Sequence, residues 1–371
     1  MGKNGSIRVL VGTRKGGYIV DSDATRRRWK VRGPTQPGKD VFHMVADPRE
    51  PDRMYSLANS PFFGPILYRS RDAGRKWEEV GTPLMAPSPK RSNDPAQMGQ
   101  HPLTNLWHLE PGPPGEPESL FLGVDPAGLY RSDDRGRSWA PMPGLNEHPT
   151  RPKWNPGAGG MCLHTILIDR ADPRRMYVGI SAAGVFRSDD GGERWRPMNR
   201  GVRVSFQPEK LPEVGQCVHR IVQDPGRPET IYRQDHDGIY ISRDAAESWQ
   251  RIGRPLPHDF GFVAAAPEAR PGEAYFVPLR PDARVCAEGS LEVWRWTERG
   301  RAWKPTVWGR LGPGDFGTHR EALAVDREDP FGIYLGTTTG DLAYSVDGAR
   351  SWSTVPYRFP SIHSVSAGRP G

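Results

Sequence analysis

Cysteine is scarce in this sequence, and long apolar runs are missing altogether. The three cysteines among 371 residues are an odd number without the density of a disulfide-rich domain, which favours a reducing compartment. The N-terminal sequence MGKNGSIRVLVGT holds no apolar stretch of signal-peptide length, and no other segment is long and apolar enough to cross a bilayer. These absences predict a cytoplasmic protein with no membrane partner.

Charge of one sign is not concentrated anywhere either. The net charge is +7, yet the densest basic cluster is Arg26–Arg28, and no recognition motif accompanies it, which disfavours a nucleic-acid partner. The mean hydropathy of −0.67 is low for a globular core. However, 12 tryptophans and many short Val, Leu and Ile runs supply packing, and the 43 glycines and 39 prolines fall between those runs. This composition predicts a β protein rich in turns.

The chain is built from a repeat, which is clearest from Cys162 to Met198. This stretch holds four short apolar runs joined by tight turns, which predicts an antiparallel meander. The turn before its last strand fits the pattern S-x-D-x-G-x-x-W, in which Asp and Ser bond the turn backbone, Gly accepts positive φ and Trp packs between sheets. Whole or degenerate copies recur along the chain. They lie at Ser22–Trp29, Ser70–Trp77, Ser132–Trp139, Ser188–Trp195, Ser242–Trp249, Glu298–Trp303 and Ser345–Trp352.

Through these turns the sequence resembles the Asp-box, or bacterial neuraminidase repeat (BNR), β-propellers. That superfamily includes sialidases, some glycoside hydrolases, sortilin-type receptors and photosystem assembly factors. The sequence resembles more closely the bacterial BNR-repeat proteins described as glycosyl hydrolase-like, and the likeness covers nearly the whole chain. The resemblance implies a β-propeller, but it implies little about function because the superfamily hosts enzymes, receptors and scaffolds alike.

We therefore predict an all-β fold, a seven-bladed β-propeller with Asp-box turns, as one domain over residues 1–371. The N-terminal strands at about 6–31 lack an innermost strand, and residues 361–367 predict the strand that completes this blade and closes the ring. The six other blades are predicted at about 41–80, 105–142, 162–198, 216–252, 260–306 and 319–355. The long connections into the innermost strands place the expected working face at the end of the propeller where those strands begin.

Histidines recur at one position of the innermost strands on that face. His108, His164 and His219 each lie 13 residues before the aromatic residue of the next strand, as does Glu321, and His43 lies 12 before its own. Because innermost strands surround the propeller axis, we expect these five side chains to face one centre. Neutral imidazoles with a carboxylate suit a divalent transition metal such as Fe, Zn, Mn or Cu. The spacing therefore predicts a metal site, with Glu321 as a ligand or general base.

Further residues are predicted to surround this centre. Asp125 and His236 fall across the hairpin from the ring and are predicted to support the ligands and to take part in catalysis. The residues predicted at the substrate-binding rim are Asn59, His319, Trp154 and Arg14. Trp154 suits either a platform over the central opening or packing on the rim, and Cys162 and Cys217 suit either soft ligands or small packing groups.

The favoured function is a metal-dependent hydrolase, lyase or oxygenase that acts on a small molecule. The first alternative is a glycoside hydrolase or carbohydrate-binding protein, with Asp125 and Glu321 as the candidate carboxyl pair. The Arg-Ile-Pro motif of sialidases is missing, since the N-terminal Ile7–Val9 does not match it. The remaining alternatives are a non-catalytic protein-interaction scaffold and a channel whose histidines only bond ordered water.

Overall fold

Short runs rich in Val, Ile and Leu form the strands, and Gly, Pro and Asp turn the chain back between them. The computed structural model of the protein describes residues 6–60, 63–83, 85–86, 101–156, 160–310 and 317–371. The strands form seven four-stranded antiparallel sheets, the blades of a β-propeller. The predicted fold class is therefore confirmed.

Blade 7 combines the two ends of the chain. It consists of β1 (Ile7–Thr13), β2 (Gly16–Ser22), β3 (Trp29–Thr35) and, from the C-terminal end, β30 (Ile362–Gly368). Strand β30 pairs antiparallel with β1, with Val365 opposite Val11, and it is the innermost strand of the blade. The ring thus closes as predicted, and β1 is paired on both sides, with β2 and with β30.

The other six blades follow in chain order, each beginning with its innermost strand. Blade 1 holds β4 (Asp40–Asp47), β5 (Glu50–Ser60), β6 (Gly64–Ser70) and β7 (Glu78–Val80), and a two-stranded sheet of β8 (Met85–Ala86) and β9 (His101–Pro102) follows it. Blade 2 holds β10 (Asn105–Pro111), β11 (Leu120–Asp125), β12 (Gly128–Ser132) and β13 (Ala140–Pro141). Blade 3 holds β14 (Leu163–Ile168), β15 (Met176–Ile180), β16 (Gly184–Ser188) and β17 (Arg196–Pro197).

The second half of the ring has the same plan. Blade 4 holds β18 (Val218–Asp224), β19 (Arg227–Asp235), β20 (Gly238–Ser242) and β21 (Gln250–Arg251). Blade 5 holds β22 (Phe260–Ala265), β23 (Glu273–Leu279), β24 (Ser290–Thr297) and β25 (Ala302–Arg310). Blade 6 holds β26 (Leu323–Val325), β27 (Ile333–Gly336), β28 (Leu342–Ser345) and β29 (Ser353–Thr354).

Helices are few and short among the described residues. They are α1 (Pro143–Asn146) and two 3₁₀ turns, Arg151–Lys153 and Ala287–Gly289. No described helix has the length and apolar character needed to cross a membrane.

The repeated turns are held by side chains that replace missing backbone partners. In blade 2, the Ser132 hydroxyl donates to Asp134 Oδ1, which also accepts the backbone N–H groups of Arg137 and Ser138 at 2.9 Å each. Gly136 adopts φ +86°, and where the pattern has lost its Gly, Ala246 takes the same conformation at +70°. These bonds hold the third and fourth strands of a blade together at the end of the propeller opposite the expected working face.

Tryptophans of the turns connect neighbouring blades. The indole N–H of Trp139 donates to the Gly81 carbonyl of blade 1, and that of Trp249 donates to the Met198 carbonyl of blade 3, both at 2.8 Å. Buried aliphatic side chains fill the remaining space between adjacent sheets. The core therefore lies between the blades, and the side chains around the axis are free to be polar.

Candidate functional site in the central channel

A buried carboxylate joins four blades at the channel axis. Glu321, just before β26, accepts the imidazole Nδ1–H of His43 at Oε2 (2.5 Å) and that of His108 at Oε1. The guanidinium of Arg220 in blade 4 donates to the same Oε1 at 2.7 Å. Because both rings donate through Nδ1 to an acceptor-only carboxylate, each keeps a lone pair on Nε2 when it is neutral. Neither Nε2 has a hydrogen-bond partner among the described residues.

The charges of this network are coupled. Burial alone would raise the pKa of Glu321, but His43, His108 and Arg220 outweigh burial and hold the pKa well below its usual range. For His108, burial favours the neutral ring and would lower the pKa, but the negative charge of Glu321 outweighs burial and the pKa is raised. Glu321 is therefore ionised at neutral pH and is a weak base, which fits an ion-pair centre better than the predicted general base.

The strand register corrects the alignment on which the five-residue ring was predicted. Each innermost strand of blades 1 to 4 carries an irregularity at this height. By pairing, the residues equivalent to His43 and His108 are Thr165, opposite Gly179, and Arg220, opposite Gln234. The hairpin of blade 2 is one residue longer than that of blade 3, with 112–119 unpaired instead of 169–175. Among blades 2 to 4, an offset of 13 residues before the aromatic therefore identifies this equivalent position only in blade 2. In blades 3 and 4, His164 and His219 lie one residue before it.

His164 is satisfied within the protein wall. Its Nε2 donates to the Val218 carbonyl and its Nδ1 accepts the Thr165 hydroxyl, both at 2.9 Å. Burial and the positive charge of Arg320 lower its pKa well below the ordinary value. Both ring nitrogens are thus occupied, and this neutral histidine links blades 3 and 4 instead of facing a shared metal.

His219 belongs to a second polar group, nearer the face where the innermost strands begin. Its Nδ1–H donates to the Gly261 carbonyl at 2.6 Å, and its Nε2 lies 3.6 Å from Cys217 Sγ. One potential ligand atom from each of Cys217, His219 and His236 lies within 4.8 Å of the others. The predicted ring of five is therefore divided, since His43, His108 and Glu321 form the only other such group among the described residues.

A cavity of about 490 Å³ opens beside this second group. Its wall combines exposed and buried phenyl rings with basic and amide side chains, and no Asp or Glu is among its described lining residues. Phe206 lies at its edge with 52% of its surface exposed. Arg320, which projects from the segment before β26, lies over the rings of Trp107 and Phe262 and has no carboxylate partner among the described residues.

The predicted catalytic and rim residues occupy different environments. Asp125 ends β11 near this face, and burial raises its pKa to about 6, against the opposing effects of a bond from Thr104 and the charge of Arg320. Asn59 does not face a substrate, because its amide donates to the Thr104 carbonyl and to Asn105 Oδ1 and so ties blade 1 to blade 2. Arg14 is exposed in the short connection between β1 and β2, where its backbone N–H donates to the Ser361 carbonyl.

Trp154 and His319 are both drawn into packing. Trp154 is only 3% exposed and packs against Phe186 under the guanidinium of Arg151, so it is a rim-packing residue and no platform over the opening. His319 lies against His363 with ring centroids 4.7 Å apart, and burial lowers its pKa to about 3. His319 is thus neutral at any pH at which the protein is expected to work.

A larger cavity, of about 630 Å³, opens at the opposite end of the channel. Most carboxylates in its wall are already paired with arginines. The pairs are Asp47 with Arg49, Glu268 with Arg170, Asp326 with Arg26 and Glu328 with Arg369. Because these charges are neutralised within the protein, we place the candidate site at the other end.

The comparisons with known proteins point to glycoside hydrolases. No protein-family model matches the sequence. An oligoxyloglucan-reducing end-specific xyloglucanase from Emericella nidulans is 26% identical over an alignment that covers 96% of this chain and 50% of the enzyme. The chain thus spans about half the length of this relative, which is a xyloglucanase and not a sialidase.

Two solved structures share the architecture. An ancestral GH74 enzyme superposes with a TM-score of 0.56 at 17% identity, over 88% of this chain and 38% of that one. YCF48 from Cyanidioschyzon merolae superposes with a TM-score of 0.53 at 13% identity, over 87% of each chain. At these identities the likeness shows the fold alone.

Proposed function

We propose that this chain is a carbohydrate-active propeller of the glycoside-hydrolase type, which binds an oligosaccharide in the 490 Å³ cavity beside His219 and His236. The observation that carries the proposal is the alignment with a xyloglucan-cleaving enzyme over 96% of the chain. The activity of that relative makes xyloglucan oligosaccharides the first ligands to test.

The cavity has the chemistry that a neutral sugar requires. An exposed ring such as Phe206 offers a flat apolar surface to the C–H face of a pyranose, and Gln207 and Asn155 line the same wall. Amide and guanidinium groups of the wall can donate hydrogen bonds to sugar hydroxyls. The cavity is thus suited to recognition through stacking and directed hydrogen bonds.

Asp125 is the group best suited to proton transfer in a hydrolytic reaction. A carboxyl with a pKa of about 6 is largely protonated in mildly acidic solution and can protonate a glycosidic oxygen. Glu321 cannot serve as its partner, because both of its oxygens are bonded by donors of the protein. Hydrolysis by two carboxyls needs a second carboxyl about 5–10 Å from the first. Asp125 itself is not among the described residues that line the cavity, and neither is any other carboxyl. We therefore propose binding as the primary activity.

The metal-dependent enzyme predicted from the sequence is the weaker proposal for function. It required one shared centre for all five residues, whereas His164 and His219 lie apart from His43, His108 and Glu321. Arg220 already neutralises Glu321. The alignment with xyloglucanases instead supports the carbohydrate alternative.

Calorimetric titration with xyloglucan and cello-oligosaccharides tests the proposal, alongside an assay for released reducing ends. Replacing Phe206 by Ala should weaken binding about tenfold, the loss of roughly 1.4 kcal/mol expected for one stacking partner. Phe63→Ala is the matched control, since Phe63 is 81% exposed and lies outside the cavity wall. Absence of binding by the whole panel, or equal losses in the two variants, would refute the assignment.

A further inference from the structure

We propose that Cys217, His219 and His236 form a soft transition-metal site with one open coordination position facing the cavity. Three protein ligands of the type S, N, N with a free position are the arrangement found in catalytic zinc centres. The inference does not depend on carbohydrate binding, because it concerns the donor atoms of the wall itself.

The backbone prepares the ligands. Cys217 directly precedes β18, and His219 lies two residues further along the same chain segment. His236 follows β19, and its backbone N–H bonds the Cys217 carbonyl at 2.9 Å across the hairpin. One hairpin of blade 4 thus supplies all three donors, and none comes from a long loop.

His219 is held in the tautomer that leaves the Nε2 lone pair available to a metal ion. Because the Gly261 carbonyl accepts its Nδ1–H at 2.6 Å, Nε2 carries the lone pair, and this atom points to Cys217 Sγ. A carbonyl behind the distal ring nitrogen is the usual support of a metal-binding imidazole. His219 is also only 2% exposed and packs against Phe262 with ring centroids 4.7 Å apart, so its orientation is set before any ion arrives.

The spacing and donor types select the class of metal. The ligand atoms lie within 4.8 Å of one another, and bonds of about 2.0 Å to nitrogen and 2.3 Å to sulfur would bring them to about 3.5 Å with small side-chain rotations. Thiolate and imidazole donors favour Zn²⁺, Co²⁺ or Cu over Mg²⁺ and Ca²⁺. Arg320, which also lines the cavity, would favour an anionic group at the open position.

Blade 3 provides an internal control. Cys162 and His164 repeat the C-x-H spacing of Cys217 and His219. However, both nitrogens of His164 are bonded within the protein. The turn equivalent to that of His236 holds Ser181 and Ala182, so the described residues supply no third ligand there. The same short motif therefore occurs once with and once without the arrangement that a metal requires.

Cobalt titration of the reduced, chelator-treated full chain tests the proposal. Wild-type protein should bind about one Co²⁺ with a thiolate-to-cobalt charge-transfer band and the visible absorption of tetrahedral Co²⁺, and Zn²⁺ should displace it. Cys217→Ser should abolish the charge-transfer band, and the partly exposed His236→Ala should lower the affinity at least tenfold. Cys162→Ser should leave both unchanged, and melting curves confirm that each variant is folded.

Two outcomes would overturn the site. One is a wild-type chain without a charge-transfer band at millimolar Co²⁺. The other is a band that survives in Cys217→Ser or disappears in Cys162→Ser. Oligosaccharide titration of the metal-free chain, run in parallel, separates a failure of this site from a failure of the proposed sugar binding.

Discussion

Replacing Glu321 by Gln tests whether the channel is held together by a buried charge network. The carboxylate accepts His43, His108 and Arg220, which belong to three different blades. A glutamine keeps the shape but removes the charge. Its amide nitrogen is a donor, so only one of its two terminal atoms can accept a hydrogen bond. The guanidinium of Arg220, with 17% of its side chain exposed, would then lose its only carboxylate partner among the described residues.

The magnitude follows from the burial of the pair. Removing one partner of a buried ion pair costs about 3–5 kcal/mol, mostly because the other charge remains desolvated. Since Glu321 is 5% exposed but Arg220 retains some contact with solvent, we expect about 3 kcal/mol. The control is Glu116→Gln, which breaks a 2.9 Å pair with Arg131 whose side chains are 44% and 33% exposed, and it should cost less than about 1 kcal/mol.

Denaturant unfolding at several pH values provides the assay. The folded-state pKa of Glu321 lies below its unfolded value, so its contribution is present above about pH 4.5 and is lost as the pH falls through the folded-state pKa. The difference between wild type and Glu321→Gln should therefore be largest near pH 7 and shrink in strong acid. A variant no less stable than Glu116→Gln at pH 7, or a difference that does not vary with pH, would refute the network.

Two further predictions concern other carboxylates. The pKa of Asp125 is raised to about 6, so its contribution to stability is present below its unfolded pKa and is lost as the pH rises through 6. The stability of Asp125→Asn relative to wild type should therefore increase by about 2 kcal/mol between pH 4 and pH 8 in parallel melts. A difference that does not change with pH would contradict a buried carboxyl. The hydrogen bonds of the turn outweigh burial and lower the pKa of Asp134 to about 2. Asp134→Ala should therefore lower the free energy of unfolding by about 1–2 kcal/mol at pH 7 and by progressively less below pH 4. Asp133→Ala, at the exposed neighbouring position, should be nearly neutral.

The architecture was predictable from the sequence because its signals are local and repeated. The turn residues recur at fixed offsets, and each offset has a backbone reason, as at Ser132, Asp134 and Gly136. Closure of the ring followed from counting strands, since β1 to β3 needed an innermost partner and residues 361–367 had none nearby. Neither inference depended on the length of any hairpin.

The site was harder to predict because it depends on register, which a single residue can shift. Arg220 and Glu321 are 101 residues apart in the chain, and no local pattern relates them. The spacing of 12 between Arg220 and Tyr232 equals that between His43 and Tyr55, so a register built on this spacing would have identified Arg220. Arg320 carried no comparable signal, since its neighbours before β26 form no strand.

Separation of the two polar groups also bears on what the channel can do. Glu321 accepts hydrogen bonds at both carboxylate oxygens from side chains of three other blades, so this group ties the blades together across the axis. Cys217, His219 and His236 instead border a cavity and leave donor atoms without a strong partner. The group around Glu321 therefore fixes the relative positions of the blades. The group of Cys217, His219 and His236 is oriented by the backbone and is free to bind ligands. Variants of Glu321 and its partners should accordingly change stability more than ligand binding, and variants of Cys217, His219 and His236 should change ligand binding more than stability.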